Sequence, residues 1–209
     1  MALLPRESTM IEKYLPSNFL ELGRNSLTYD HSMLVANGAK LIAEKCELDA
    51  ELAFLCGEMH DIGKFIGIPG VAPGRVCRHP RIGYELLEGV NTQIAKVCIA
   101  HPFPVKDIIH VKHFCKGDEE ETNYIWKILN NTKYDEYIEL IQLCDKMSGI
   151  DKYVTVENKI EWYKEKRGIP DYELKKYYEE PLIKIKEKFE TIGNINVYKL
   201  LNIDCSTNM

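Results

Sequence analysis

The residues best suited to chemistry in this chain are four histidines and two aspartates: His31, His60, Asp61, His79, His101 and Asp145. Imidazole nitrogens and carboxylate oxygens are the ligands that a borderline first-row metal takes. An aspartate beside a histidine, as in His60-Asp61, offers two oxygens and can bridge two ions. The doublet alone says little, since a chain with this many His and Asp residues produces one by chance about 0.3 times. Its surroundings say more. It continues as Ile-Gly-Lys, and the ammonium of Lys64 has donors but no free lone pair. Lys64 therefore suits a phosphate oxygen better than a metal. Arg75, Arg78 and Arg81 form a small basic cluster that can add local positive charge. His110 and His113, spaced i, i+3, have no carboxylate placed with them and read as surface histidines. Trp126, Trp162 and the many tyrosines read as core and interface residues rather than base-stacking platforms.

The elements that must position these residues are helical. His31 opens an amphipathic stretch to Cys46, with Val35, Gly38, Ala39 and Ile42 on one stripe. Asp49 reads as the N-cap of a helix from Ala50 to about His60, and Gly63 sits where a helix stops. Glycines and prolines between Phe65 and Cys77 suit only a loop. His79-Pro80 restarts a helix to about Leu87, because proline is favoured in the first turn. A further helix from Asn91 or Thr92 places Ile94, Val97, Cys98 and His101 at i, i+3, i+4, i+7, and Pro102 and Pro104 end it. Residues 105–132 carry no clear period, and the acidic run Asp118–Glu121 reads as a solvated loop. Tyr134 to Gly149 predicts an amphipathic helix with Ile138, Ile141, Asp145 and Ser148 on one face. A charge is rarely buried on such a face unless paired or bound to metal, which marks Asp145 as a candidate ligand.

Beyond Ile150 come charged helical stretches, broken at Gly168-Ile169-Pro170 and at Pro181. Between Asp151 and Glu190 ten Lys/Arg balance ten Asp/Glu, so this arm reads as a neutral, salt-bridge-laced surface. No run of alternating β-branched residues is available for a parallel sheet. The fold class expected is all-α.

Composition narrows the function classes. The net charge of −5 gives no global pull toward nucleic acid or an anionic membrane, so a phosphate site must be locally basic. With 45% apolar and 28% charged residues, the chain is an ordinary globular one. The opening MALLPREST is too brief for a signal peptide, and nowhere do about 18 apolar residues run together. The seven cysteines are scattered, without a C-x-x-C pair. They read as reduced thiols in a cytoplasm rather than a disulfide framework.

Taken in order, the segments His31-Ser-x-x-Val-Ala-x-x-Ala, Gly57-Glu-Met-His60-Asp61-Ile-Gly-Lys64, His79-Pro-x-x-Gly83-Tyr-Glu-Leu-Leu, Ile99-Ala-His101 and Leu143-Cys-Asp145-Lys-Met-Ser form a pattern. That pattern resembles the HD superfamily of metal-dependent phosphohydrolases from about Thr28 to Ser148. The resemblance implies a helical HD bundle over residues 1–150, with residues 151–209 as a helical C-terminal extension packed on the same domain. It implies that His31, His60, Asp61 and Asp145 hold a first metal ion, and that His79 and His101 add a second with Asp61 between the two. The ions implied are divalent or mixed-valence transition metals, iron or manganese foremost, with cobalt, nickel, zinc or magnesium as alternatives. The binuclear subset includes bacterial dinucleoside-tetraphosphate hydrolases, cyclic-dinucleotide phosphodiesterases and di-iron oxygenases. After His101 the chain reads Pro-Phe-Pro-Val-Lys-Asp, without the HHE and DGxGYP elements of the cyclic-di-GMP enzymes, which argues against that substrate.

The implied activity is hydrolysis of a phosphate ester or phosphoanhydride, with a nucleotide as the expected substrate, by a metal-activated water. Asp61 and Lys64 are the catalytic candidates, and Lys64, Arg78 and Arg81 the candidates for holding phosphate. Two rivals stay open: a di-iron oxygenase on a small phosphorylated or polyol substrate, and a nucleotide-binding sensor. A nucleic-acid or membrane partner is not expected.

Overall fold

The computed structural model describes residues 27–65, 76–149 and 151–204. Among these the only β-pairing is an isolated bridge between Ser148 and Tyr153, and the rest is helical or irregular. No helix among the described residues is long and apolar enough to cross a membrane. The opening segment and Arg75 lie outside the described residues.

Helix α1 (Leu27–Lys45) and helix α2 (Ala50–Met59) form a hairpin. Asp49 caps α2, its carboxylate accepting from the Glu51 and Leu52 amides at 3.0 Å each. The buried stripe of α1 is built largely of small residues, Ala36, Ala39 and Ala43 among them, which lets the two helices approach closely. At Gly57 they nearly touch, since a Cβ there would lie 2.5 Å from the Cα of Ala36. His31 lies in the second turn of α1 rather than opening it, because the helix begins at Leu27.

The chain leaves α2 through His60 and Asp61 into a short 3-10 turn, Ile62–Lys64. A second 3-10 turn, Val76–Arg78, leads into α3 (His79–Leu87), with Pro80 in its first turn. Helix α4 (Thr92–Ala100) is capped by the Asn91 side chain and ends on His101. Then follow α5 (Ile108–Phe114), α6 (Glu119–Asn131) and α7 (Glu136–Met147).

Helix α6 corrects the expectation of a solvated acidic loop. Asp118 is its N-cap, and Glu119, Glu120 and Glu121 fill its first turn. Carboxylates there offset the helix dipole and the unpaired amides, so an acidic cluster before an apolar run is a start signal. Glu121 is buried, not solvated.

Helix α8 (Val156–Arg167) stops at Gly168, which takes the left-handed conformation at φ 62°. Helix α9 (Asp171–Leu174) does not break at Pro181. It runs through a π turn, Lys175–Glu179, into α10 (Glu180–Gly193), with Pro181 in the first turn of the latter. The wider turn absorbs the missing amide and the ring clash that proline brings to an ordinary helix interior. A last short helix, α11, spans Val197–Leu200.

One apolar core joins these elements. Val35 and Ile42 of α1, Met59 of α2, Ile94 and Cys98 of α4 and Ile138 and Ile141 of α7 are all buried in it. Leu182, Ile185 and Phe189 of α10 join the same cluster, so the C-terminal helices pack on the bundle. All six cysteines among the described residues are free and buried, packing as small apolar side chains.

Candidate metal centre

Five helix ends or turns converge on one point. His31 comes from the second turn of α1, while His60 and Asp61 follow the end of α2. His79 starts α3, His101 ends α4, and Asp145 sits in the last turn of α7. Their donor atoms form overlapping sets, His31/His60/Asp61, His60/His101/Asp145 and Asp61/His79/His101, each with atoms within 4.8 Å of one another.

Asp61 divides its two oxygens between two histidine pairs. Oδ1 lies 3.2 Å from His79 Nε2 and 3.4 Å from His101 Nε2, and these two nitrogens are 3.1 Å apart. Oδ2 faces the other way, 3.4 Å from His60 Nε2 and 3.9 Å from His31 Nε2. Asp145 Oδ1 completes that side, 3.0 Å from His31 Nε2 and 3.8 Å from His60 Nε2. Ligands bound at about 2.1 Å to one ion are separated by roughly 3.0–3.4 Å, which is the spacing seen on the His79/His101 side.

The backbone sets the imidazole tautomers. His60 Nδ1 donates to the Gly57 carbonyl at 2.7 Å, and His101 Nδ1 donates to that of Cys98 at 2.9 Å. Each ring therefore turns Nε2 toward the cluster, the arrangement in which a second hydrogen bond fixes a ligating nitrogen. His60 Nε2 and Asp61 Oδ1 are buried without a hydrogen-bond partner. Orphaned polar atoms at such a depth are rare, and here they are two of the atoms a metal would take. The donor set fits a metal ion.

Electrostatics agree. Burial tends to raise the Asp61 carboxyl pKa, but His60 and Lys64 outweigh it and hold the group well below the usual range. Burial likewise opposes charge on Asp145, yet Lys146 and His31 keep it ionised. His101 is pushed down to about 4 by burial, so it is neutral at pH 7 with its lone pair available. His60 is drawn up despite burial, because the Asp61 and Asp145 carboxylates beside it call for positive charge.

The HD domain family profile matches residues 28–150, more than half of the chain, and spans all six clustered residues. The chain belongs to the HD domain family. Neither the curated proteins nor the solved structures give a match. HD domains are mostly metal-dependent hydrolases, and the helical fold and His/Asp cluster described here agree with that class.

The cluster of this HD domain opens into a cavity of about 270 Å³. Lys64 lines it from an exposed position, with its ammonium on Asp61 Oδ2. Arg78 and Arg81 are not among the lining residues. Arg78 reaches Asp118 at 3.4 Å and Glu121 at 3.8 Å, while Arg81 reaches Glu85 at 2.9 Å and Glu121 at 3.3 Å. These arginines serve the buried Glu121 and the start of α6. A cluster of like charge in sequence does not reveal which carboxylates will fold against it.

Three cations that sequence reasoning did not single out line the cavity instead: Lys146, Lys159 and Arg167. Lys146 was legible as the neighbour of Asp145, and its ammonium contacts Asp145 Oδ2. The other two come from α8, in the arm whose balanced charge hid them. His110 is also not a surface residue. It is buried, bonded to the Tyr178 hydroxyl at 2.9 Å and stacked on Tyr177. His113 is the exposed one, paired with Glu173 at 3.1 Å.

Proposed function

We propose that this HD protein hydrolyses a phosphate ester or phosphoanhydride, with nucleotides as the expected substrate class, using two transition-metal ions. The observation that carries the reading is the division of Asp61, one oxygen toward His79 and His101 and the other toward His31 and His60. His31, His60, Asp61 and Asp145 would hold one ion, and Asp61, His79 and His101 the other. Iron or manganese suits this set of imidazoles and carboxylates best, with cobalt, nickel, zinc or magnesium as alternatives. When bound, the metal supplies Lewis-acid activation of water and neutralises charge at the phosphoryl group.

The chain's own residues supply the rest. Asp61, held ionised, can accept a hydrogen bond from the attacking water and orient it. Lys64 spends one ammonium hydrogen on Asp61 and keeps its remaining donors for a phosphate oxygen at the cavity. Phe114 and Pro102 line the same cavity and limit water around the reacting group. We assign residues 1–150 to the HD domain and 151–209 to an extension packed on it. The free buried thiols support a reducing compartment such as the cytoplasm.

Metal analysis of the purified chain, followed by a phosphatase screen over nucleotides and simple phosphate esters with the metal found, tests this reading. Metal-dependent phosphate release supports it. Oxygen consumption by the iron-loaded chain without phosphate release would replace it with an oxygenase, and nucleotide binding without turnover would replace it with a sensor.

A further inference from the structure

Helix α8 lies beyond the residues that match the HD family, yet it closes one side of the cavity. Lys159, Tyr163 and Arg167 all line the cavity and recur at i, i+4, i+8, the spacing of a single helical face. The cations from the HD part are already engaged, Lys64 with Asp61 and Lys146 with Asp145. Lys159 and Arg167 are not, for neither has a carboxylate partner among the described residues.

What holds them is aromatic. The Lys159 ammonium donates to the Ser148 carbonyl at 2.9 Å and lies 5.5 Å and 5.8 Å from the ring centres of Trp162 and Tyr163. The Arg167 guanidinium stands 5.4 Å and 4.9 Å from the same two rings. An aromatic face positions a cation without neutralising it. The Tyr163 hydroxyl, on a buried side chain, forms no hydrogen bond among the described residues and is a third donor. Burial pushes the Lys159 ammonium down to about 8, and the Asp145 carboxylate offsets that desolvation only in part. Two oriented cations and a free hydroxyl beside a phosphate-cleaving centre have the chemistry of an anion site.

We propose that Lys159, Tyr163 and Arg167 form a subsite for a second, non-reacting phosphate, so that the substrate is an organic di- or polyphosphate rather than a monophosphate. The assignment of a reacting phosphate to the metal centre rests on the phosphohydrolase reading. Arg167 also lines a larger neighbouring cavity of about 1020 Å³, together with Phe114, Ile169 and Tyr178. An anion held by Arg167 thus sits where the two cavities meet, and the organic part of the substrate can continue into the larger one.

Titration of the metal-stripped, full-length chain with inorganic tripolyphosphate and with orthophosphate tests the subsite, read by calorimetry and by tryptophan fluorescence in a Trp126→Phe background that leaves Trp162 as the reporter. Without metal, anion binding cannot run through an ion. Tripolyphosphate should bind more tightly than orthophosphate, and Arg167→Gln and Lys159→Gln should each weaken it by about 10-fold or more. Metal uptake on reloading should match wild type in both variants. Lys159 is largely buried, so Arg167→Gln, at an exposed position, decides the matter if the lysine variant misfolds. Affinity in Arg167→Gln within about twofold of wild type would overturn the subsite, as would a wild-type chain that binds no tripolyphosphate. Phosphate release that survives while tripolyphosphate affinity ignores both substitutions removes the subsite and leaves the phosphohydrolase reading intact. A clear affinity loss in a chain that hydrolyses no phosphate supports the subsite and removes that reading instead.

Discussion

Gly63 and His79 meet backbone to backbone: a Cβ at position 63 would lie 2.1 Å from the His79 carbonyl oxygen. The glycine after His60-Asp61-Ile is therefore fixed by close approach rather than by a turn. Its missing side chain lets the 3-10 turn that follows Asp61 press against the start of α3, where His79 sits. Gly63→Ala must push α3 away, because the obstacle is backbone and not a flexible side chain. We expect a stability loss at the upper end of about 1–3 kcal/mol, read by thermal or denaturant unfolding. We also expect the His79/His101 side to lose its ion while the His31/His60/Asp145 side keeps one. Unchanged stoichiometry in a destabilised variant would mean that α3 can shift without carrying His79 off the cluster.

Asp61 and Asp145 should differ in the same measurement. Asp61 has an oxygen within 3.9 Å of all four histidines, whereas among the described residues Asp145 comes that close only to His31 and His60. Asp61→Asn is expected to lose both ions and all hydrolysis, with helicity by circular dichroism retained. Asp145→Asn is expected to lose one. Equal losses in the two variants would contradict a shared Asp61.

Much of this was legible in the sequence because helix signals are local. The Asp49 and Asn91 caps, the Gly168 stop and the His79-Pro80 start each depend on residues within a turn of one another. The clustering of His31 with Asp145, 114 positions apart, was reached through the ordered motif and not through any spacing. What escaped depended on partners distant in sequence. Arg78 and Arg81 looked free until α6 brought Glu121 to them, and His110 looked exposed until Tyr177 and Tyr178 covered it. Lys159 and Arg167 vanished into a neutral average, because charge balance along a chain says nothing about which face of a helix each charge occupies.

That misplacement gives a contrast between two basic residues. Arg81 bonds Glu121, a carboxylate that is 1% exposed, and lies outside the cavity lining. Arg81→Ala strips a buried acid of a partner, so it should cost about 1–3 kcal/mol of stability with hydrolysis per folded molecule preserved. Lys64→Ala should do the reverse on activity. Metal content should hold while kcat/KM falls by about 10- to 100-fold, the worth of a charge-assisted hydrogen bond to phosphate. Metal loss in Lys64→Ala would reduce its role to holding Asp61.

Lys159 predicts two pH effects of opposite sign over one window. Its ammonium titrates at about 8 in the folded chain against an ordinary 10.5, mainly because burial opposes the charge. Asp145 raises that value, while Lys146, Arg167 and Lys64 lower it. Between the two values the unfolded chain binds the proton and the folded chain does not, so this residue makes the fold more stable as pH rises from about 8 toward 10.5. Below about 8 both states are protonated, and the burial penalty is constant. The buried cysteines pull the other way: burial pushes the Cys56 and Cys115 thiols up to about 12, and unfolding at high pH releases their protons. The test is therefore the difference between wild type and Lys159→Met, in which the cysteine contribution cancels. Wild type should gain stability relative to the variant from pH 8 to 10, measured by denaturant unfolding. Over the same interval wild type should lose affinity for tripolyphosphate relative to Lys159→Met as the ammonium becomes an amine, because the variant has no ammonium at this position to lose. A stability difference that does not change with pH would mean that Lys159 is solvated rather than desolvated in the cavity wall, and that its charge is not what the anion meets.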